Sequence, residues 1–201
     1  MHRLKNTISL LLGVGLLLAT PLTRAQGAET ISAGGTQFAA KADLDGQPLL
    51  ANGAGIRSKF FLDIYAAALY LPTKTSDPSA ILAAEAPSRV HIVMLRDLSA
   101  DRFVSALEDG LRDNLTAARY QEIAPQRSEL ATAMRALGEA KKGDVILLER
   151  AQRDSTRLVV NGSPRAEIAG ARFFTALLRI WLGDQPVDSA LKERLLGRDG
   201  R

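Results

Sequence analysis

The chain has 201 residues, 24% of them charged and 46% apolar, with a formal net charge of +4 and no cysteine. That length is a prior for one domain, and the composition lies near globular averages, which excludes disordered and collagen-like chains. Without cysteine there are no disulfides, thiolate metal sites or cysteine nucleophiles, and with only His2 and His91 a histidine-rich metal site is excluded as well.

The first 25 residues, MHRLKNTISLLLGVGLLLATPLTRA, combine a basic start (Arg3, Lys5), an apolar run over residues 8–19 and the small-x-small exit Thr23-Arg24-Ala25. This is the layout of a secretory signal peptide. Twelve apolar residues fall short of the roughly 20 that a membrane-spanning helix needs, so an uncleaved anchor is the lesser alternative. Gln26 follows where a lipoprotein would carry cysteine. Removing residues 1–25 lowers the net charge to +1 and leaves 176 residues, His91 among them as the last histidine. Charges of alternating sign on a nearly neutral domain exclude a nucleic-acid partner. The expected organisation is a signal peptide over 1–25, a flexible leader over 26–35 and one domain over 36–201, exported to the periplasm.

Along that domain, residues 36–40 and 47–50 read as a first strand pair joined around Asp45-Gly46, and Asn52-Gly53-Ala54-Gly55 as a glycine-rich turn. Residues 56–72 are rich in aromatic and β-branched side chains and read as a long or bulged strand pair. Asp77-Pro78 opens a short helix, and residues 89–95 form another strand. Ser99 caps a helix over 100–118 whose apolar stripe is Phe103, Ala106, Leu107, Gly110, Leu111 and Leu115, with Asp101, Arg102, Glu108, Asp109, Arg112 and Asp113 on a solvated face. A helix over 126–140, strands over 144–150, 156–161 and 165–169, and helices over 171–182 and from Asp188 to Gly197 complete the chain. The fold class is α+β, a mainly antiparallel sheet with helices packed on one face.

Few residues here suit chemistry. The glycines at 53 and 55 precede a strand, where phosphate-cradling motifs require a helix. His91 lies in an alternating strand and reads as a surface residue, and no nucleophile elbow is present. One constellation remains: Arg57, with Tyr65 and Tyr70 behind it. If it ends in a cleft, the arginine's planar fork suits a carboxylate or enolate and a tyrosine hydroxyl adds a donor. The alternative is an arginine paired with a surface acid and tyrosines filling the core.

NGAGIRSKFFLDIYAAALYLP resembles the opening motif of the chalcone isomerase-like superfamily. LRDLSADRFVSALEDGLRDNL is similar to its central helix, KKGDVILLERAQRDSTRLVVNG to its late strand pair, and ARFFTALLRIWLGDQPVDSALKERLLG to its C-terminal helices, in the form met in bacterial exported members. The resemblance implies an open-faced β-sandwich with a cleft between sheet and helices. In the plant enzymes of this superfamily the matching arginine stabilises an enolate during intramolecular Michael addition. Arg57 keeps that position, but their threonine falls on Tyr65, their central-helix tyrosine on Phe103, an asparagine on Gly110 and a further threonine on Ile180. Arginine followed by tyrosine is instead the pattern of the fatty-acid-binding branch, where the pair holds a carboxylate. Phe103, Gly110, Ile180 and Trp181 then make the cleft apolar, with the glycine opening space.

The expected function is accordingly an exported, noncatalytic binding protein for a fatty acid or similar amphipathic carboxylate, using Arg57, Tyr65, Phe103, Gly110, Ile180 and Trp181, with no cofactor and no metal. The alternatives are an intramolecular lyase (isomerase) on an unknown substrate, with Arg57 catalytic, and a structural or partner-binding domain.

Overall fold

The computed structural model describes residues 29–151 and 154–198; the expected signal peptide lies outside the described residues. Strands β1 (Thr30–Ala33) and β2 (Thr36–Ala39) form a separate hairpin. Strands β3 (Lys41–Leu44), β4 (Gln47–Lys59) and β5 (Leu62–Leu71) follow, then helix α1 (Pro78–Ala83), strand β6 (Ser88–Met94) and the short β7 (Leu98–Ser99). Helices α2 (Ala100–Asn114), α3 (Ala117–Glu122) and α4 (Ala124–Arg135) precede β8 (Glu139–Ala140). Strands β9 (Val145–Ala151), β10 (Ser155–Val160) and β11 (Ser163–Ala169) lead to α5 (Ala171–Leu182) and α6 (Ser189–Leu195). Seven strands make one antiparallel sheet in the order β11-β10-β9-β6-β5-β4-β3, while β7 pairs with β8. Among the described residues, no helix is long and apolar enough to cross a membrane.

Both faces of the sheet are covered. Strict alternation along β6 sends Val90, Ile92 and Met94 into the large core beneath the helices and His91 to the opposite face. On that opposite face a smaller core of Phe38, Leu44, Leu49, Ala51, Ala66, Ala68 and Tyr70 lies under the β1–β2 hairpin. The Tyr70 hydroxyl donates to the Ala39 carbonyl at 2.8 Å, tying hairpin to sheet.

This hairpin corrects three expectations. Thr30–Ala33, expected as part of the loose leader, pairs with Thr36–Ala39 around Gly34-Gly35. Residues 36–39 therefore do not pair across Asp45-Gly46; β3 takes that place against β4. His91 is half-buried instead of exposed, its ring edge-on to Phe38 with centroids 5.1 Å apart and stacked on Tyr70 at 6.2 Å. Burial, reinforced by the Arg89 cation, pushes its pKa down to about 4.

The expected glycine turn is the middle of β4. A Cβ on Gly53 would stand 2.0 Å from the Arg194 carbonyl oxygen, and one on Gly55 would stand 2.7 Å from Arg194 Cβ. The two glycines thus let α6 lie directly on the strand, a close approach of backbone to backbone that any side chain prevents. Between them and β3 the ladder slips at Asn52. That side chain is buried and fully engaged: Nδ2 donates to the carbonyls of Thr75 (3.0 Å) and Leu195 (2.8 Å), and Oδ1 accepts from the Thr75 N–H at 2.8 Å.

The helices keep their expected caps: Asp77 accepts from the Ser79 N–H, Ser99 from Arg102 and Asp188 from Leu191. The central helix stops at Asn114, because Thr116 caps a separate α3. The turn into α3 and α4 also draws Glu108 off the solvated face, where Arg127 pairs with it at 2.6 Å and the Tyr120 hydroxyl donates to it.

Two predictions follow from the packing. Gly53→Ala pushes against backbone rather than a movable side chain, so it lowers unfolding free energy by about 3 kcal/mol, the upper range for overpacking, as read by urea denaturation. Because His91 binds its proton more tightly unfolded than folded, it costs stability as pH falls from its ordinary value near 6.5 toward about 4. Urea midpoints at about pH 7 and about pH 4.5 drop further in the wild type than in His91→Gln; equal drops would show that His91 does not titrate with folding.

Candidate functional site

On the helix-facing side of β4 the alternation reads Gly53, Gly55, Arg57. The strand thus emerges from beneath α6 at the point where a long side chain is first accommodated. Arg57 is half-buried and stands opposite Tyr65 on β5 in the ladder. Its guanidinium carbon lies 5.7 Å from the Tyr65 ring centroid. A bulge immediately after Arg57 lets the Ser58 N–H reach the Asp188 carboxylate at 3.2 Å, so the cap of α6 is fixed beside the arginine.

The Tyr65 hydroxyl is buried and accepts a hydrogen bond from Trp181 Nε1 at 2.8 Å. Burial raises the Tyr65 pKa, with the Arg57 charge and the Trp181 bond pulling the other way. The phenol is therefore neutral at ordinary pH, and its own proton has no acceptor among the described residues. Arg57 makes no ion pair among the described residues, and its Nε is buried without a partner. A guanidinium in this position has donors to spare and no anion to receive them. Desolvated donors of this kind are costly to leave unmatched.

Of the residues expected at the site, Arg57, Tyr65, Phe103, Ile180 and Trp181 do come together. They line one internal space between β4, β5, α2 and α5, with Leu98, Ala106, Leu107 and Val187. That space is about 10 Å³, room for one water molecule at most. Phe103, Ile180 and Trp181 belong to the main core. Gly110 does not open the cleft: a Cβ there would stand 2.9 Å from Ile180 Cγ2, so Ile180 fills the place its side chain leaves. Glycine brings α2 and α5 closer together at the inner space, the reverse of the expected effect there, while Gly110 itself lines the larger groove outside it together with Arg57. Tyr70, the other tyrosine of the motif, faces the second core and takes no part.

Outside this closed space lies an open groove of about 1220 Å³, with Arg57 in its wall. Ile64, Leu95, Leu98 and Val187 give it an apolar floor, while Arg96, Arg102 and Lys142 are among the charges along its rim. These residues escaped sequence reasoning because they come from separate strands, loops and the first turn of α2. Only Ile64, three residues past the hairpin turn and next to Tyr65, carried a local signal in the apolar run.

With this geometry in place, the chain can be set beside known proteins. Residues 30–197 match the profile of the chalcone isomerase-like family. The chain belongs to that family. Among solved structures it is similar to a fatty-acid binding protein from Arabidopsis thaliana, with a TM-score of 0.67 at 13% identity, over 84% of this chain and 96% of the plant protein. At that identity the likeness is one of fold. No curated protein matches the sequence at a significant level.

The Tyr65–Trp181 bond joins the sheet to α5 across the closed space, and its loss is measurable. Tyr65→Phe leaves the Trp181 N–H buried without an acceptor and destabilises the fold by about 1–3 kcal/mol. An unchanged urea midpoint would place water, not the tyrosine, as the acceptor.

Proposed function

We propose that this protein is an exported, noncatalytic ligand-binding member of its family, in which Arg57 and Tyr65 hold the carboxylate of a fatty acid or similar amphipathic molecule. The observation that carries the reading is the Arg57 guanidinium: it forms no ion pair among the described residues, its Nε is buried without a partner, and it opens onto a groove with an apolar floor. A carboxylate accepts from the arginine fork through two oxygens, and the neutral Tyr65 hydroxyl, in the narrow space behind Arg57, keeps a proton for a carboxylate oxygen that reaches in beside the guanidinium. The likeness in fold to a plant fatty-acid binding protein supports this choice of ligand class.

The volumes favour the outer groove for the hydrocarbon. An acyl chain cannot enter an internal space of about 10 Å³ without parting α2 from α5, whereas the outer groove of about 1220 Å³ admits it as the structure stands. The acyl chain therefore lies along Ile64, Leu95, Leu98 and Val187, with the head group at Arg57. Phe103, Ile180 and Trp181 act beneath it as the packed wall that holds Tyr65 in place. The near-absence of room between sheet and helices also favours a second reading, a partner-binding domain with no small ligand. Export rests on the signal-peptide layout of residues 1–25, with the periplasm as destination.

Titration of the protein with palmitate, followed through the fluorescence of Trp181 and checked by native mass spectrometry, separates the two. Saturable binding that falls at least about tenfold in Arg57→Ala, the scale of one lost charge-assisted pair, supports the carboxylate site. A wild-type protein that carries no ligand and shows no saturable response sinks it in favour of the partner-binding reading.

A further inference from the structure

The tip of the β4–β5 hairpin departs from the rest of the surface in backbone and in composition. Its two turn residues are both left-handed, Phe60 with φ 50° and Phe61 with φ 63°. Turns of this hand fit the twist of a hairpin, and Asn-Gly is their favoured pair because β-carbons are strained there. Here both positions carry phenylalanine. The two side chains are 83% and 105% exposed, and Leu62 after them is 48% exposed; these three are the exposed large hydrophobics among the described residues. The turn thus accepts backbone strain while directing two aromatic rings into solvent. Strain combined with exposed apolar surface marks a contact made outside the chain.

The surroundings indicate what that contact is. Lys59 places its ammonium 5.6 Å from the Phe60 ring centroid. Phe60, Leu62 and Lys59 share the groove wall with Arg96, Arg102 and Lys142. The groove carries Arg57, Lys59, Arg96, Arg102 and Lys142 against Asp97, Asp109 and Asp113, and Asp109 is itself paired with Arg112, so the rim is net basic. Three side chains at a narrow tip offer roughly 500 Å², short of the about 800 Å² per partner that a stable protein interface buries. A small apolar projection ringed by cations instead suits the boundary of an anionic bilayer, where rings sit among acyl chains and ammonium groups meet lipid phosphates.

We infer that the Phe60-Phe61 tip docks this protein reversibly on an anionic lipid surface, with Leu62 following the rings inward and Lys59, Arg102 and Lys142 facing the head groups. The inference does not depend on what Arg57 holds, since an empty groove presents the same tip.

The test is co-sedimentation of the chain beginning at Gln26, which contains every residue of both cores, with vesicles of phosphatidylethanolamine and phosphatidylglycerol or of phosphatidylcholine alone. The wild type is expected to sediment with the anionic vesicles, less so at high salt and less with phosphatidylcholine. Phe60→Asn/Phe61→Gly installs the pair that the turn favours, so its melting temperature holds or rises while vesicle partitioning falls about tenfold or more. The inference is overturned if the wild type stays in the supernatant with both vesicle types, or if the double variant sediments as well as the wild type. It is equally overturned if the wild type is a dimer in solution, the variant is a monomer and neither binds vesicles, because the tip then serves a second copy of the chain.

Discussion

The contact on which the rest of the structure depends is the seating of α6 against β4. Helices and sheets normally stand about 10 Å apart, separated by the side chains of both; here Gly53 and Gly55 remove one of those layers. The helix is then fastened at both ends. Its last turn is held through the Leu195 carbonyl by Asn52, and its cap, Asp188, receives the N–H of Ser58. These attachments bracket Arg57, so the arginine's position follows from a helix fixed to the same strand on either side of it. Asn52 also holds the Thr75 backbone, which brings the segment after β5 into the same knot.

The sheet uses its two faces differently. Beneath the helices the packing is mostly apolar, and two polar contacts cross it between sheet and α5: the Tyr65–Trp181 hydrogen bond and the one that buried Arg150 donates to Thr175. The opposite face tolerates charge. There Glu149 is buried and accepts from Arg89 at 2.7 Å and from Arg157 at 2.8 Å, with Arg157 also reaching Asp45. One carboxylate shared by two guanidinium groups satisfies the lone pairs that burial would otherwise strand. It spans β6, β9 and β10, and therefore fixes strand order on the side where the covering hairpin is small. Arg57 differs from these arginines in one respect: each of them is paired with an acid, and among the described residues Arg57 is not.

Closure of the inner space and openness of the groove follow from the same helix pair. Gly110 lets Ile180 settle against α2, which leaves only about 10 Å³ between Tyr65 and the helices. The larger accessible space lies outside, between the β4–β5 hairpin, the loop after β6 and the α5–α6 connection. The fold thus keeps Arg57 and Tyr65 together, with the larger accessible volume at the surface.

The sequence by itself determined the elements whose signals are local. The caps Asp77, Ser99 and Asp188, the apolar stripe of α2 and the alternation of β6 each depend on neighbours within a few residues, and the pairing of Arg57 with Tyr65 follows from the short hairpin between them. The family motif was legible for the same reason, being carried by contiguous stretches. What only the tertiary structure decided is what each of those faces meets. Glycines at 53 and 55 read as a turn when isolated and become a strand once α6 approaches from about 140 residues away. His91 is a surface histidine until the β1–β2 hairpin covers it. Gly110 opens space in a lone helix and closes it when Ile180 arrives. Glycine and histidine commit to little on their own: the one lacks a side chain to define a face and the other is stable in or out of water, so their roles are set by the partner that long-range packing supplies.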